Sequence, residues 1–343
     1  MLTCNKSVFR LLLVFTGLIM VLFITPIFIS HSLAESNKVM TPYGESTVDF
    51  DLHKVPNAPV YYVTGLAGVP GAENEGLTAN AGFVVTDKGV VVYDALGTPI
   101  LGYRLLMAIR KITNKPVTHV VVGHYHADHI YGLQAFKEHT KATIWAQKAS
   151  NVYIGSYDAK QRLAQRREAL FPWVDERTYV VEPDKTFLDR QIFDMGDTKV
   201  ELIHAGPAHA PDDVIMIVRK YGVVFTGDLI FGGRLPFLGG DEVNTKNWLK
   251  GIEYLENIKP APRFVIPGHG KADTNPQESI AFTRDYIRYL RTQMGEAVQN
   301  LTQFKEAYTN TDWSKYKDVP TFEAANRGNA YQVYLEMESE LFN

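Results

Sequence analysis

Short apolar runs and longer segments of helical periodicity alternate along this chain. Runs rich in β-branched and aromatic residues predict strands at 60–63, 82–85, 89–94, 117–122, 178–181, 198–203, 214–218, 223–225 and 264–266. Helical periodicity and capping signals predict helices at 98–111, 147–170, 245–258, 276–304 and 323–341. Strands followed by helices and then by further strands predict two half-units, packed sheet to sheet with helices outside.

The hydrophobic pattern at the N-terminus differs from that of the remaining chain. Residues 11–29 are almost wholly apolar and follow Lys6 and Arg10, while small residues stand at Ser32 and Ala34. This order is typical of a cleaved signal peptide, so we expect a periplasmic or secreted protein. The alternative is an uncleaved anchor that ties the protein to the inner membrane, facing the periplasm, since the apolar run is long enough to cross a ~30 Å hydrocarbon layer.

Length and composition are those of a globular protein, with 343 residues, 45% of them apolar and 21% charged. The predicted division is a signal peptide at 1–34, a lead-in segment at 35–58, one α/β domain at 59–275 and a C-terminal helical extension at 276–343. A net charge of −3 gives no basic footprint for nucleic acid, so we expect a small-molecule substrate as the partner, with the oligomeric state left open. The only cysteine, Cys4, precedes the apolar run, so the mature chain would contain no thiol for disulfides or catalysis.

Candidate chemistry is concentrated directly after the predicted strand 117–122. Three histidines and an aspartate fall within six residues, at His124, His126, Asp128 and His129. Residues two apart in an extended segment point the same way, so His124 and His126 form one pair of ligands. A helix beginning near Asp128 would turn Asp128 and His129 toward a neighbouring point. Imidazole nitrogen and carboxylate oxygen without thiolate suit zinc.

Three further candidate ligands follow later predicted strands, each with glycine close by. They are His209, Asp228 and His269. Glycine next to a ligand permits a sharp turn and a close approach of backbone. Any one of these residues alone would be an ordinary loop or core residue, but the seven together predict a metal site.

The order of these motifs resembles that of the metallo-β-lactamase superfamily, over roughly residues 59–275. The resemblance implies a four-layer αββα sandwich, here with a C-terminal helical extension, and metals at one edge. It also implies that His124, His126 and His209 bind one zinc, that Asp128, His129 and His269 bind a second, and that Asp228 bridges both. Aspartate at 228, where well-known β-lactamases have cysteine, together with the export signal, favours the periplasmic SoxH-like or glyoxalase II-like branch.

The resemblance implies an exported hydrolase with two Zn²⁺ ions and a metal-bound hydroxide that cleaves an ester, thioester, lactone or amide bond. Asp128 would be the catalytic residue that orients the nucleophile or accepts its proton. One alternative is a β-lactamase proper. Another is an oxidoreductase resembling the persulfide dioxygenases, which would hold a single iron in place of zinc. A non-catalytic binding protein is a third reading, disfavoured because all seven ligand positions are present.

Two residues near the ligands are candidates for substrate contact. Tyr125 lies inside the histidine cluster, and Arg234 follows a Gly-Gly pair after Asp228. Packing or surface roles are the alternative for both. The basic helix at 147–170 is interpreted as a solvated surface helix, with a substrate lid as the alternative.

Overall fold

The computed structural model describes residues 38–240, 242–272 and 275–342. Within these ranges the strands are β1 (Val39–Thr41), β2 (Gly44–Ser46), β3 (Leu52–Lys54), β4 (Val60–Val63), β5 (Ala81–Thr86), β6 (Gly89–Tyr93), β7 (Val117–Val121), β8 (Thr143–Gln147), β9 (Lys185–Phe187), β10 (Arg190–Asp194), β11 (Lys199–His204), β12 (Val214–Val218), β13 (Val223–Gly232) and β14 (Phe264–Gly270). The helices are α1 (Pro99–Ile112), α2 (Ala127–Ile130), α3 (Leu133–His139), α4 (Ser150–Tyr153), α5 (Tyr157–Ala169), α6 (Thr245–Asn257), α7 (Pro276–Gln299), α8 (Phe304–Asn310) and α9 (Phe322–Phe342).

Two large sheets form the centre of the fold. The first has seven strands in the order β3 to β9, antiparallel up to β6 and parallel from β6 onward. The second has five strands in the order β10 to β14, antiparallel except for the parallel pair β13 and β14. In each sheet, sequential strands are therefore neighbours, as the two predicted half-units require.

Side-chain alternation along the strands divides the apolar residues among three cores. In β6, Val90 and Val92 face a core with α1 and α3, whereas Val91 faces the opposite sheet. In β13, Val223 joins the core between the sheets and Val224 packs toward α6 and α7. Because successive side chains of a strand point to opposite faces, each sheet is covered on both sides. This confirms the four-layer αββα sandwich with C-terminal helices.

Two sequence predictions of secondary structure are wrong. Residues 178–181 form no strand; instead Thr178 closes a turn, its hydroxyl accepting from the backbone N–H of Asp175 at 3.1 Å. The predicted helix at 147–170 is broken into α4 and α5 at Gly155, which has a φ of +78°, in the left-handed region that favours glycine. Ser156 then caps α5 by accepting from the backbone N–H of Ala159.

The C-terminal helices cover the second sheet. α7 packs on β13 and α6, and α9 lies along α7. Over the part of the chain that the structure describes, no helix is long and apolar enough to cross a membrane. The predicted signal peptide at 1–34 lies outside the described residues, so cleavage and export stay predictions, as does the division into segments.

Candidate metal centre

The seven predicted ligand residues lie together at one edge of the sandwich. Their donor atoms form three overlapping groups in which all atoms lie within 4.8 Å of one another. The groups are His124, His126 and His209; Asp128, His129 and His269; and His124, His129 and Asp228. The first two are the two ligand sets that the resemblance implies, and the third connects them.

Asp228 lies between the two sets. Its Oδ2 is 3.2 Å from the Nε2 atoms of His209 and His269, and its Oδ1 is 3.3 Å from the Nε2 of His129. One carboxylate thus reaches imidazoles of both sets. Its close environment needs glycine, because a Cβ at Gly268 would lie 2.0 Å from Asp228 Oδ1.

Several polar atoms in this cluster are buried without a hydrogen-bond partner among the described residues. They include both ring nitrogens of His124, the Nε2 of His129 and the Oδ1 of Asp228. His124 and His129 are fully buried. Burying such groups unpaired costs free energy unless a cation binds them, so the donor set fits a metal centre.

At His124, His126 and Asp228, electrostatics favour the protonation states that metal ligation requires. Burial lowers the pKa of His124 well below its ordinary value, and burial together with His209 lowers the pKa of His126 to about 3. Burial opposes ionisation of Asp228, but His269 and the other histidines hold its pKa well below the usual range. The lowered pKa values favour neutral imidazoles at His124 and His126, and an ionised carboxylate at Asp228.

His129 differs from the other histidines because it has a carboxylate on each side. Burial opposes its protonation, yet Asp228 and then Asp94 raise its pKa well above the ordinary value. The buried carboxylate of Asp94 accepts from His129 Nδ1 at 2.8 Å and from the backbone N–H of Gly123 at 2.6 Å. With Nδ1 donating to Asp94, the Nε2 of His129 is left facing the centre.

Asp94 was not singled out from the sequence. The available signal was its position immediately after β6, which pairs in parallel with β7, so that the ends of both strands meet at the same edge.

A segment preceding β5 fixes the His269 side. Thr78 O accepts from His269 Nδ1 at 2.7 Å, and Thr78 Oγ1 lies 3.3 Å from Asp128 Oδ2. Asn80 donates through Nδ2 to the carbonyl oxygens of Pro267 and Gly270, both at 2.8 Å. The first half-unit is therefore tied to the turn that holds a ligand of the second. No sequence motif pointed to Thr78 or Asn80.

The centre opens on the side of His126 and Asp128, the two partly exposed residues among the seven. A small pocket adjoins His126, between Tyr125, Tyr153 and Asp212. Tyr125 lines this pocket, but its hydroxyl donates to the carbonyl oxygen of Val181 at 2.9 Å. A substrate would therefore approach along the face that exposes His126 and Asp128.

Arg234 lies against the His269 side of the centre. Its side chain is buried, with Nη1 3.4 Å from His269 Nδ1, a nitrogen whose proton is already donated to Thr78 O. Its Nε has no hydrogen-bond partner, and no carboxylate of the described residues lies within 4.0 Å of the guanidinium. Burial lowers the pKa of Arg234, while Asp228 and Asp128 act in the opposite direction. A buried cation beside the centre, with its Nε donor unpaired among the described residues, suits an anionic ligand.

Residues 74–269 match the Metallo-beta-lactamase superfamily, so this chain belongs to that superfamily. The match spans β5 to β13, most of β14 and the seven clustered residues. The seven clustered residues, which are candidates for metal binding, all lie within the matched region.

Among curated proteins, the chain is 27% identical over 199 residues to a metallo-beta-lactamase type 2 from Bacillus sp. (strain 170), covering 57% of this chain and 68% of that protein. It is 23% identical over 238 residues to a linear primary-alkylsulfatase from Pseudomonas sp. (strain ATCC 19151), covering 60% of this chain and 44% of that protein. The chain therefore spans less than half of the sulfatase's length.

Solved structures show the same fold. The stereoselective inverting sec-alkylsulfatase Pisa1 from Pseudomonas sp. superposes with a TM-score of 0.66 at 19% identity, covering 84% of this chain and 50% of its own. A metallo-beta-lactamase from Pontibacter korlensis superposes with a TM-score of 0.54 at 19% identity, covering 70% of this chain and 99% of its own.

Proposed function

We propose that this protein is a hydrolase that uses two zinc ions, held by the seven clustered residues. The proposal rests on the observation that carboxylate oxygens of Asp228 lie within 3.3 Å of imidazole nitrogens from both ligand sets. His124, His126 and His209 would hold one ion, Asp128, His129 and His269 the other, and Asp228 would touch both. Zinc in such a pair activates water near neutral pH and polarises the bond to be cleaved.

Residues near the proposed ions would position the attacking water and bind the substrate. Asp128 is the most exposed carboxylate of the cluster, with 18% of its side chain accessible, so it can orient an attacking water and accept its proton. Thr78 and His269 flank the same carboxylate and restrict its rotation. Arg234 would bind an anionic group of the substrate, because its guanidinium has no carboxylate partner among the described residues.

Two substrate classes follow from this arrangement. The first is a carboxyl derivative, an ester, thioester, lactone or amide, that carries a separate anionic group for Arg234. The second is a sulfate ester, supported by the positive charge of Arg234 and by the similarity to alkylsulfatases.

The test is metal content, measured by mass spectrometry, together with a hydrolysis panel of thioesters, lactones, sulfate esters and β-lactams. We expect two zinc ions per chain and turnover of at least one panel class. Asp228→Asn should lower the metal content of the protein. It should also lower the rate of turnover by about 100-fold or more. Asp51→Asn is the control, since Asp51 is exposed and is not among the clustered residues.

A single iron with oxygen consumption would replace the hydrolase proposal with the oxidoreductase alternative. Turnover by metal-free protein equal to that of loaded protein would also contradict it. Nitrocefin turnover within the panel would select a β-lactamase proper.

We further propose that the protein is exported and acts in the periplasm or outside the cell. This rests on the apolar run at 11–29 and the small residues that follow it. N-terminal sequencing of protein from a periplasmic fraction should find a start near Glu35. A protein that keeps its first residues in a membrane fraction would support the anchored form instead.

A further inference from the structure

The segment that carries Arg234 is held in place by the C-terminal helices. We call residues 233–240 the Arg234 loop; it follows directly after β13. The buried amide of Asn329, on α9, accepts from the backbone N–H of Leu238 at 2.7 Å and donates to the carbonyl oxygen of Pro236 at 2.7 Å. One side chain thus bonds to backbone on both sides of Phe237, whose ring faces the Arg234 guanidinium.

The segment before α9 holds the residue next to Arg234. The backbone N–H of Leu235 donates to Pro320 O at 3.1 Å, and the hydroxyl of Thr321 donates to Leu235 O at 2.9 Å. Both polar groups of Leu235 are therefore bonded to the C-terminal segment. Four hydrogen bonds from outside the matched region 74–269 fix the backbone around Arg234.

The Asn329 amide belongs to a fully bonded network. Its second N–H donates to the hydroxyl of Tyr286 on α7 at 3.0 Å, and that hydroxyl donates to Asn326 Oδ1 at 2.9 Å. Asn326 in turn donates to the hydroxyl of Tyr308 on α8. A buried polar network with every member paired specifies one geometry, because each broken bond leaves an unpaired polar group.

The Arg234 loop is the first part of the segment that connects β13 to α6. A second contact from α9 holds the other end of this segment, where α6 begins. Glu336 accepts from the backbone N–H of Thr245 at 2.9 Å, and Arg291 of α7 pairs with Glu336 at 3.3 Å. The start of α6 is thereby bonded to the same helix as the Arg234 loop.

A buried guanidinium with an unpaired Nε needs a rigid backbone, since it would otherwise turn toward solvent or a carboxylate. We infer that Asn329 is a positioning residue that aims Arg234 at the substrate, so that the C-terminal helices set the preference for anionic substrates. The expected effect of Asn329 on KM for anionic substrates rests on the proposed function. Its structural part, the bonding of the loop, does not depend on bound metal or turnover.

The experiment compares Asn329→Leu with Asn326→Leu in the full chain. Both asparagines are buried on α9 and share the Tyr286 hydroxyl, but Asn326 makes no bond to the Arg234 loop. Hydrogen exchange of peptides covering 233–240 should become at least about tenfold faster in Asn329→Leu than in Asn326→Leu. Equal protection of the loop in both variants would overturn the inference.

The kinetic arm uses zinc-loaded protein and two kinds of substrate from the panel. For an anionic substrate, Asn329→Leu should raise KM by about fivefold or more with little change in kcat, and a neutral ester such as p-nitrophenyl acetate should show no such rise. The concentration of inorganic sulfate that half-inhibits the neutral reaction should rise in parallel. Zinc content should stay at the unsubstituted level.

A double-mutant cycle with Arg234→Gln tests whether Asn329 affects KM by positioning Arg234 or by a general loss of stability. If Asn329 acts through Arg234, Asn329→Leu should add nothing to KM in the Arg234→Gln background. Additive effects would contradict the inference. Should Asn329→Leu not fold, Asn329→Asp serves in its place, since it retains the acceptor for Leu238 but loses the donor to Pro236.

The outcomes for the two proposals differ. Wild-type protein that hydrolyses no panel member removes the proposed function, while the exchange comparison still reports on the loop. Wild-type turnover with an unchanged KM in Asn329→Leu removes the inference alone.

Discussion

Besides Asp94, two further buried carboxyl groups, those of Asp212 and Asp213, lie beside the seven clustered residues. Asp212 accepts from the backbone N–H of Tyr125 at 3.1 Å, and Asp213 accepts from the N–H of Ala210 at 2.7 Å. Burial raises the pKa of Asp212 to about 7 and that of Asp213 well above the ordinary value. Both side chains brace the turns that present the histidines, and both are costly to ionise.

The pH dependence of stability should reveal this cost at Asp212. A folded-state pKa raised above that of the unfolded chain means that stability is greatest at low pH and is lost as pH rises through about 4 to 7. Asp212→Asn removes that loss while keeping an acceptor for Tyr125. Metal-free Asp212→Asn should therefore gain stability over wild type as pH rises across this window, by up to about 4 kcal/mol.

Urea unfolding at pH 4 and at pH 8 measures the difference. Asp51→Asn, at an exposed position, should show no pH-dependent gain. A constant difference between Asp212→Asn and wild type at both pH values would contradict the expectation.

At the residue scale, the seven clustered residues could be selected from the sequence because each follows a predicted strand and carries a donor suited to zinc. Asp94, Asn80 and Asn329 could not, because their importance depends on contacts with residues far along the chain. Asn80, for example, bonds to Pro267 and Gly270, and nothing local distinguishes it from an ordinary turn asparagine.

Close packing of α1 against the start of α3 holds the histidine cluster in place. A Cβ at Gly132 would lie 1.8 Å from Ala95 O, and a Cβ at Gly102 would lie 2.2 Å from Gly132 O. Backbone atoms cannot yield as a flexible side chain can. Gly132 follows α2, which carries Asp128 and His129, so this contact fixes the position of both residues.

Gly132→Ala should destabilise the protein by about 3 kcal/mol or more, because the methyl group meets backbone rather than a side chain. It should also lower zinc content. Gly328→Ala is the control: nothing lies within 4 Å of its added Cβ, and alanine on α9 should stabilise by about 0.5 to 1 kcal/mol. Thermal or urea unfolding of the two variants provides the measurement; equal stability would contradict the packing argument.

Helix α5 contributes charge to the open side of the centre. Burial opposes ionisation of Asp128, yet His129, His269 and, from α5, Arg166 keep the pKa of this carboxyl below its ordinary range. α5 also packs on α2. The sequence left a solvated helix and a substrate lid as alternatives, and this proximity favours a role in attracting anionic substrates.

Arg166→Gln should raise KM for an anionic panel substrate about threefold, with the difference shrinking as salt is added, because partly exposed charges are screened. Lys160→Gln is the matched control, an exposed cation of the same helix. Equal effects of the two substitutions on KM, or an effect independent of salt, would show that Arg166 has no specific influence on substrate.

At the element scale, helices and strands were predictable where apolar periodicity was strong, as in β6, β7, β12 and α6. The secondary-structure predictions failed where tertiary contacts, rather than the local sequence pattern, determine the backbone conformation. Residues 178–181 have a strand composition, but Arg167 donates to the carbonyl oxygens of Asp175 and Thr178 and draws the preceding turn onto α5. The short β9 and β10 lacked any comparable local pattern.

The whole molecule brings ligands from both half-units to one edge. His124, His126, Asp128 and His129 come from the first sheet and its connections, while His209, Asp228 and His269 come from the second. The αββα arrangement was predictable from the order of the motifs. The role of the C-terminal helices was not, because it rests on hydrogen bonds from α9 to the Arg234 loop.

Removing metal should lower the melting temperature of the whole sandwich. Ions bound to the folded state alone stabilise it by mass action, so chelation should lower Tm by on the order of 10 °C, and added zinc should restore it. Differential scanning calorimetry with and without chelator measures the change. An Asp228→Asn variant, with its weakened binding, should respond less, and an equal response would contradict the assignment of Asp228.

The bond between Asn80 and the turn around His269 has a consequence for assembly of the protein. Neither half of the chain possesses the complete ligand set proposed for the second ion, because the carboxylate and first imidazole of that set come from one half and its last imidazole from the other. Under the proposed assignment, this ion would bind only after the halves have docked, and an N-terminal fragment ending before β10 would bind zinc only loosely. A protein that holds both proposed ions would therefore be one whose two halves have already folded and docked.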